Sequence, residues 1–257
     1  MSITLYIFGS VIVVSLVSLV GVLSISFRKE ALNKTLAFLV PMAVGALLGD
    51  ALFHLIPEVL EESANPPLMS FMVIAGIVAF FLLERILRWH HHHTHEDNHA
   101  LNEEQQAGSK QHLGKLLLIS DALHNLIDGV IIAASYLISV EVGIATTIAV
   151  VLHEIPQEIG DFGVLIYSGY SKAKALLYNF VSALAAVAGA LIVVLSGSLP
   201  DSIMQSTLAF AAGIFIYIAA SDLVPELQKN TKLKSIIPQI SGMGLGVLAM
   251  YLIIFLE

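Results

Sequence analysis

Long apolar runs alternate with short polar breaks along this chain. Runs near or above 20 residues fall at about 4–27, 36–60, 68–88, 114–138, 142–168, 173–197, 202–227 and 233–256. Each is the length that an α-helix needs to cross a bilayer's hydrocarbon core. The breaks carry turn chemistry: Asn65-Pro66-Pro67, Gly197-Ser198-Leu199-Pro200 and the polar stretch 89–112. Period-two alternation is missing, so a β-barrel fits poorly. The pattern predicts an all-α membrane protein with eight transmembrane helices, forming a single transmembrane domain over residues 1–257. Residues 1–27 lack the basic opening of a signal peptide and are read as the first span.

Composition agrees. Apolar residues make up 57% of the chain and charged residues 12%, about half the charged share of a soluble domain. The excess apolar surface has to face lipid. Cysteine is absent, so a soft metal must be held by histidine, carboxylate, amide or methionine. A net charge of −8 without a basic patch argues against a nucleic-acid partner.

The basic residues give an orientation. Arg28, Lys29 and Lys34 lie between spans 1 and 2, and Arg85, Arg88, Lys110 and Lys115 flank the break between spans 3 and 4. Lys172 and Lys174 lie between spans 5 and 6, and Lys229, Lys232 and Lys234 between spans 7 and 8. With eight spans, all 12 Lys and Arg residues fall on one side. The positive-inside rule makes that side cytoplasmic and both termini non-cytoplasmic. The chain is therefore expected as a multi-pass protein of a plasma or inner membrane.

Residues 89–112 are polar and rich in Gln and Glu, without an apolar period. They hold seven of the ten histidines: His90, His91, His92, His93, His95, His99 and His112. The composition predicts a disordered cytoplasmic loop that binds metal weakly and exchangeably.

Ionisable residues inside a span are costly and by default mark a pathway. Here they cluster. Span 2 has Asp50, His54 and Glu58, spaced four apart along one helical face. Span 4 has Asp121, His124, Asn125 and Asp128. Span 5 has His153, Glu154, Gln157, Glu158 and Asp161, with Pro156 among them; span 7 has Asp222 and Glu226. Residues three and four apart share a helix face, so His124 and Asp128 can grip one ion with Asn125 beside them. His153 and Glu154 stand at similar depth in the next, antiparallel span. Imidazole nitrogen with carboxylate oxygen suits zinc and also admits iron, manganese, cobalt or cadmium. Proline at 156 leaves the Leu152 carbonyl without its usual donor beside that cluster.

Span 2 ends His54-Leu-Ile-Pro57-Glu58 and span 7 ends Asp222-Leu-Val-Pro225-Glu226. The charge-derived topology points these two copies in opposite directions, as in inverted transporter repeats. Spans 1–3 and 6–8 would be the repeats, with spans 4 and 5 between them in a 3+2+3 arrangement.

His124-Asn-Leu-Ile-Asp128-Gly129 resembles the HNxxDG signature of ZIP (Zrt-, Irt-like) metal transporters. His153-Glu-Ile-Pro-Gln-Glu-Ile-Gly-Asp161 resembles HExPHExGD, the span 5 signature of one ZIP subfamily. Gly49-Asp50-Ala-Leu-Phe-His54, Leu176-Leu-Tyr-Asn-Phe-Val-Ser-Ala-Leu184 and the Asp222–Glu226 run extend the likeness. The resemblance implies uptake of zinc or related divalent metals into the cytosol. It implies a metal site drawn from His124, Asn125, Asp128, His153, Glu154 and Gln157, to which the spacing adds Glu158. Asp50, His54, Glu58, Asp161, Asp222 and Glu226 would line the route. The resemblance also implies a homodimer in the lipid bilayer. Two departures stand out. The subfamily's second span 5 histidine is Gln157 here, a neutral and weaker ligand. The place of a span 6 glutamate used by other subfamilies falls at Ala186, which argues against a complete two-metal site.

Two other readings share these residues. His153-Glu154 matches the start of the HExxH metalloprotease motif, but its fifth position is Gln157, which removes a zinc ligand. A metal-gated channel or a sensor would need the same metal site without carrier movement.

Overall fold

The computed structural model describes residues 2–21, 29–92, 103–197, 200–228 and 233–256, and these are helical almost throughout. Seven described helices are both long and apolar enough to cross a membrane: Ile3–Val20, Lys34–Glu62, Pro66–Arg85, Leu117–Ile138, Lys172–Leu195, Ser202–Ser221 and Ile236–Ile253. They correspond to spans 1–4 and 6–8. Span 5 is the helix Val140–Tyr167, whose 28 residues are long enough to cross. Its acidic side chains set it apart, and Glu154 and Glu158 among them are fully buried. It runs without a break through Pro156 and starts at Ser139, whose side chain caps the Val142 N–H. Spans on the outside show a lipid-facing stripe at helical spacing, as Phe71, Ile74, Val78 and Phe81 do on span 3.

The spans pack as two groups. Spans 2, 3, 7 and 8 form one, through the close pairs 2–8 and 3–7; spans 1, 4, 5 and 6 form the other. The groups meet where span 2 lies against span 5 and span 7 against span 4. Three crossings leave no room for a Cβ. At 2–8, Gly45 lies against the Met243 carbonyl and Gly246 against that of Met42. At 3–7, Gly213 lies against the Val73 carbonyl and Gly76 against that of Phe210. At 4–6, Gly129 lies against the Ala186 carbonyl and Gly189 against that of Leu126. Small residues replace a hydrophobic driving force in lipid by letting backbones touch.

The first two crossings are copies of one another. A single shift along the chain carries Met42 to Phe210, Gly45 to Gly213, Pro57 to Pro225 and Glu58 to Glu226; one two residues longer carries Val73 to Met243 and Gly76 to Gly246. The backbone repeats a second device. Span 2 passes through a π turn at Ala51–Leu55 and span 7 through one at Ile218–Leu223, each two residues before its proline. A π turn accommodates one extra residue within the helix.

Three expectations change. Residues 89–112 are not a wholly unstructured loop, because span 3 extends as helix Pro66–His92 and span 4 starts in helix Glu103–Ile138. Backbone hydrogen bonding continues past the apolar segments there, since a helix needs no apolar side once it has left the membrane. His93, His95 and His99 lie outside the described residues, as do the side chains of His90, His91, His92 and His112. Span 6 is not one continuous helix but two, Lys172–Ala183 and Ala185–Leu195, meeting at Leu184. The Ser182 hydroxyl oxygen lies 3.0 Å from the Tyr178 carbonyl and 2.9 Å from that of Asn179 just before that break, while its one proton has its nearest acceptor in Asp121 of span 4. Finally, Asp50 and His54 do not act along one common face. His54 Nε2 is 3.0 Å from the Met250 carbonyl of span 8, whereas buried Asp50 has Thr146 of span 5 beside it. The π turn between them re-aims the second side chain.

Candidate metal centre

Four side chains from spans 4 and 5 converge at the buried heart of the bundle. His124 and Asp128 sit one turn apart on span 4; His153 and Glu154 are neighbours on span 5. One ligand atom from each lies within 4.8 Å of the other three. His124 Nε2 and His153 Nε2 are 3.2 Å apart. Asp128 Oδ2 is 3.6 Å from His124 Nε2 and 3.4 Å from His153 Nε2, and Glu154 Oε1 is 3.6 Å from each. A tetrahedron with zinc-to-ligand bonds of about 2.0–2.1 Å has edges of about 3.3 Å. These separations are thus of the size that a single ion at their centre requires.

The protonation pattern fits as well. His153 Nδ1 lies 3.2 Å from the Ala149 carbonyl one turn back. That carbonyl only accepts, so Nδ1 carries the proton and Nε2 presents its lone pair to the site. Among the described residues no donor serves either carboxylate oxygen of Asp128 or of Glu154. Buried carboxylates without donors are costly unless a cation compensates them. The side chain of His124 is 11% exposed and those of the other three are 1% exposed.

Two walls of the site were not legible as such in the sequence. Phe80 of span 3 meets the His124 ring edge-on at 5.6 Å, and Phe215 of span 7 meets the His153 ring at 6.2 Å. An aromatic residue in a span reads as ordinary packing, and only the fold places these two against the imidazoles.

Glu158 is not one of the four converging groups, and the amides of Asn125 and Gln157 contact Asp121. Beside the cluster lies a polar layer in which Asp121 gathers most of the hydrogen bonds. Asn125 Nδ2 donates to Asp121 Oδ1 at 2.9 Å, Ser182 Oγ donates to Asp121 Oδ2 at 2.5 Å, and Gln157 also reaches Asp121. Asn179 Nδ2 donates to Glu158. Asp161 follows on span 5, half-buried. Span 6 thus contributes Asn179 and Ser182, two residues that helical spacing alone could not tie to the site. Glu58 stands half-buried beyond the π turn of span 2; the side chains of Asp222 and Glu226 lie outside the described residues.

A profile of the ZIP zinc transporter family matches residues 1–115 and 89–254, which together take in nearly the whole chain. The chain belongs to the ZIP zinc transporter family. Among ZIP relatives, the zinc transporter zipt-7.2 of Caenorhabditis elegans is 35% identical, over 86% of this chain and 59% of its own length. The metal cation symporter ZIP14 of Xenopus tropicalis is 31% identical, over 88% of this chain and 62% of that protein. The zinc transporter YKE4 of Saccharomyces cerevisiae is 30% identical, over 86% of this chain and 70% of that protein. The first two of these ZIP proteins are thus matched over about three fifths of their length.

Proposed function

We propose that this chain carries a divalent transition metal, zinc first, across a membrane and into the cytosol. The observation that carries the reading is the convergence of His124 Nε2, Asp128 Oδ2, His153 Nε2 and Glu154 Oε1 in one buried cluster between two membrane helices. The relatives, two zinc transporters and a metal cation symporter by name, support the same cargo. Two imidazoles and two carboxylates also accept iron, manganese, cobalt or cadmium, so selectivity is one of preference. Asn125, Gln157 and Glu158 are read as ligands during passage rather than at rest, because they line the next polar layer.

The repeated glycine pairs and π turns of spans 2 and 7 support an inverted repeat. With the basic loops cytoplasmic and both termini outside, Asp50, His54 and Glu58 lie toward the outer face. Asp161, Asp222 and Glu226 lie toward the cytoplasm. Anionic groups at both ends concentrate cations and ease their partial dehydration. Family resemblance further suggests a homodimer in the bilayer. A protease role lacks support, since the second imidazole comes from span 4 and position 157 is an amide.

Reconstituted protein in zinc-free proteoliposomes tests the proposal. Saturable zinc uptake is expected, inhibited by competing divalent ions and lost in His153→Ala. Uptake that persists undiminished in that variant would overturn the site. Non-saturable flux with a low temperature coefficient would point to a channel, and metal binding without flux to a sensor.

A further inference from the structure

On the side bearing the basic loops, a hollow of about 550 Å³ opens between the start of span 4, the turn after span 5 and the first turns of span 6. Lys115 comes to it from span 4 and Lys174 from span 6, and the rings of Tyr170 and Tyr178 meet edge-on within it at 5.5 Å. Both lysines are exposed, and neither forms an ion pair among the described residues. No acidic residue occupies the first turn of Lys172–Ala183. This is the reverse of the usual preference, because a helix N-terminus carries partial positive charge and disfavours lysine. Ser171 Oγ accepts from the Lys174 N–H, so Lys172, Lys174, Lys115 and the remaining N–H groups of that first turn gather positive potential, with no ion-pair partner for Lys115 or Lys174 among the described residues.

The hollow is built rather than incidental. Gly169 holds φ +89°, a conformation favouring glycine, and turns the chain from span 5 into span 6. Gly114 brings span 4 so close to this turn that a Cβ would overlap the Tyr170 ring and crowd Ser168. Ser168, beside the hollow rather than in its lining, is only 4% exposed, and its hydroxyl has no hydrogen-bond partner among the described residues. Below the cationic rim the lining turns apolar at Leu118. Ile119, Leu177 and Val181 stand exposed on the apolar spans 4 and 6. Tyrosine at this boundary is typical of the membrane interface.

We propose that this hollow binds the phosphate-bearing headgroup of an anionic phospholipid. Lys115, Lys174 and the Lys172 and Ala173 N–H groups of span 6 hold the phosphate, and the tyrosine hydroxyls hydrogen-bond the headgroup. The acyl chains lie along Leu177 and Val181. The apolar continuation favours a lipid over free phosphate, and basic pockets between membrane helices on the cytoplasmic side are suited to anionic headgroups. The inference does not depend on metal transport.

Native mass spectrometry and thermal unfolding of the full chain in detergent test it, with phosphatidylglycerol, phosphatidylcholine and inorganic phosphate as separate probes. Phosphatidylglycerol is expected to bind about tenfold or more tightly than phosphatidylcholine. It should also raise the unfolding midpoint. Lys115→Gln with Lys174→Gln should abolish that preference. The charge-matched pair Lys229→Gln with Lys232→Gln should keep it, which separates this pocket from general attraction to basic loops. Equal binding of the two lipids, or a preference that survives the first pair of changes, overturns the proposal. Inorganic phosphate producing the same stabilisation would overturn the lipid assignment.

Discussion

His124 and His153 point their Nε2 atoms at one another across the boundary of spans 4 and 5, 3.2 Å apart. With the Nδ1 proton of His153 committed to Ala149, its Nε2 turns a lone pair toward His124 and the centre of the cluster. His153→Ala should lower zinc uptake well beyond tenfold, while the helical circular dichroism stays unchanged. Asp128→Asn should do the same, because it removes charge without altering shape. Uptake rates in proteoliposomes, set against equal amounts of folded protein, decide the matter.

Gln157 stands one helical turn from His153 yet is turned to Asp121. Gln157→His places a third imidazole at this position. Zinc should bind about tenfold more tightly, the order expected from one added ligand contact. Turnover should slow, because release costs more. Isothermal titration measures the first and initial rates the second; unchanged affinity would mean that residue 157 remains committed to Asp121.

Glycines at the crossings should respond in opposite ways to those in open space. Gly45→Ala and Gly213→Ala each force a Cβ into a neighbouring carbonyl and should cost about 2 kcal/mol or more, as overpacking does. Gly160→Ala and Gly163→Ala meet nothing within 4 Å and should be neutral or stabilising by about 0.5–1 kcal/mol. Midpoints of thermal unfolding in one detergent compare all four.

Ser182→Ala leaves a buried oxygen of Asp121 without its donor. A loss of about 1–3 kcal/mol in stability is expected. Ser182→Thr, which keeps the hydroxyl, should restore most of it. If both variants unfold alike, the bond to Asp121 contributes nothing measurable.

Deleting residues 90–99 removes six histidines of the loop. None belongs to the four-residue cluster, so more than about half of the uptake rate should remain, with metal bound weakly at the loop lost. Complete loss of uptake at normal expression would place the loop within the route instead of beside it.

Much of this architecture could be read from residue pattern, because lipid imposes length on each helix and charge on each loop. His124 with Asp128 was visible from spacing four on one helix, and the nearness of His153 from a short antiparallel connection. What spacing could not supply was direction between helices. It could not turn His54 to span 8 and Asp50 to span 5, since the π turn between them breaks the α period. Nor could it bring Phe80 and Phe215 onto the imidazoles or attach Ser182 to Asp121, contacts made by residues far apart in the chain.

The glycine crossings divide the molecule mechanically. Where carbonyl meets Cα with no side chain between, as at Gly45 with Gly246, Gly76 with Gly213 and Gly129 with Gly189, the helices are effectively riveted, and neither partner can slide without breaking backbone contact. Among the described residues no such rivet joins span 2 to span 5 or span 7 to span 4. The imidazoles of His124 and His153 face the rings of Phe80 and Phe215 across that unriveted seam. If the proposed transport moves one group of spans past the other, shear along this seam breaks none of the glycine contacts, and the aromatic rings are its bearing surface.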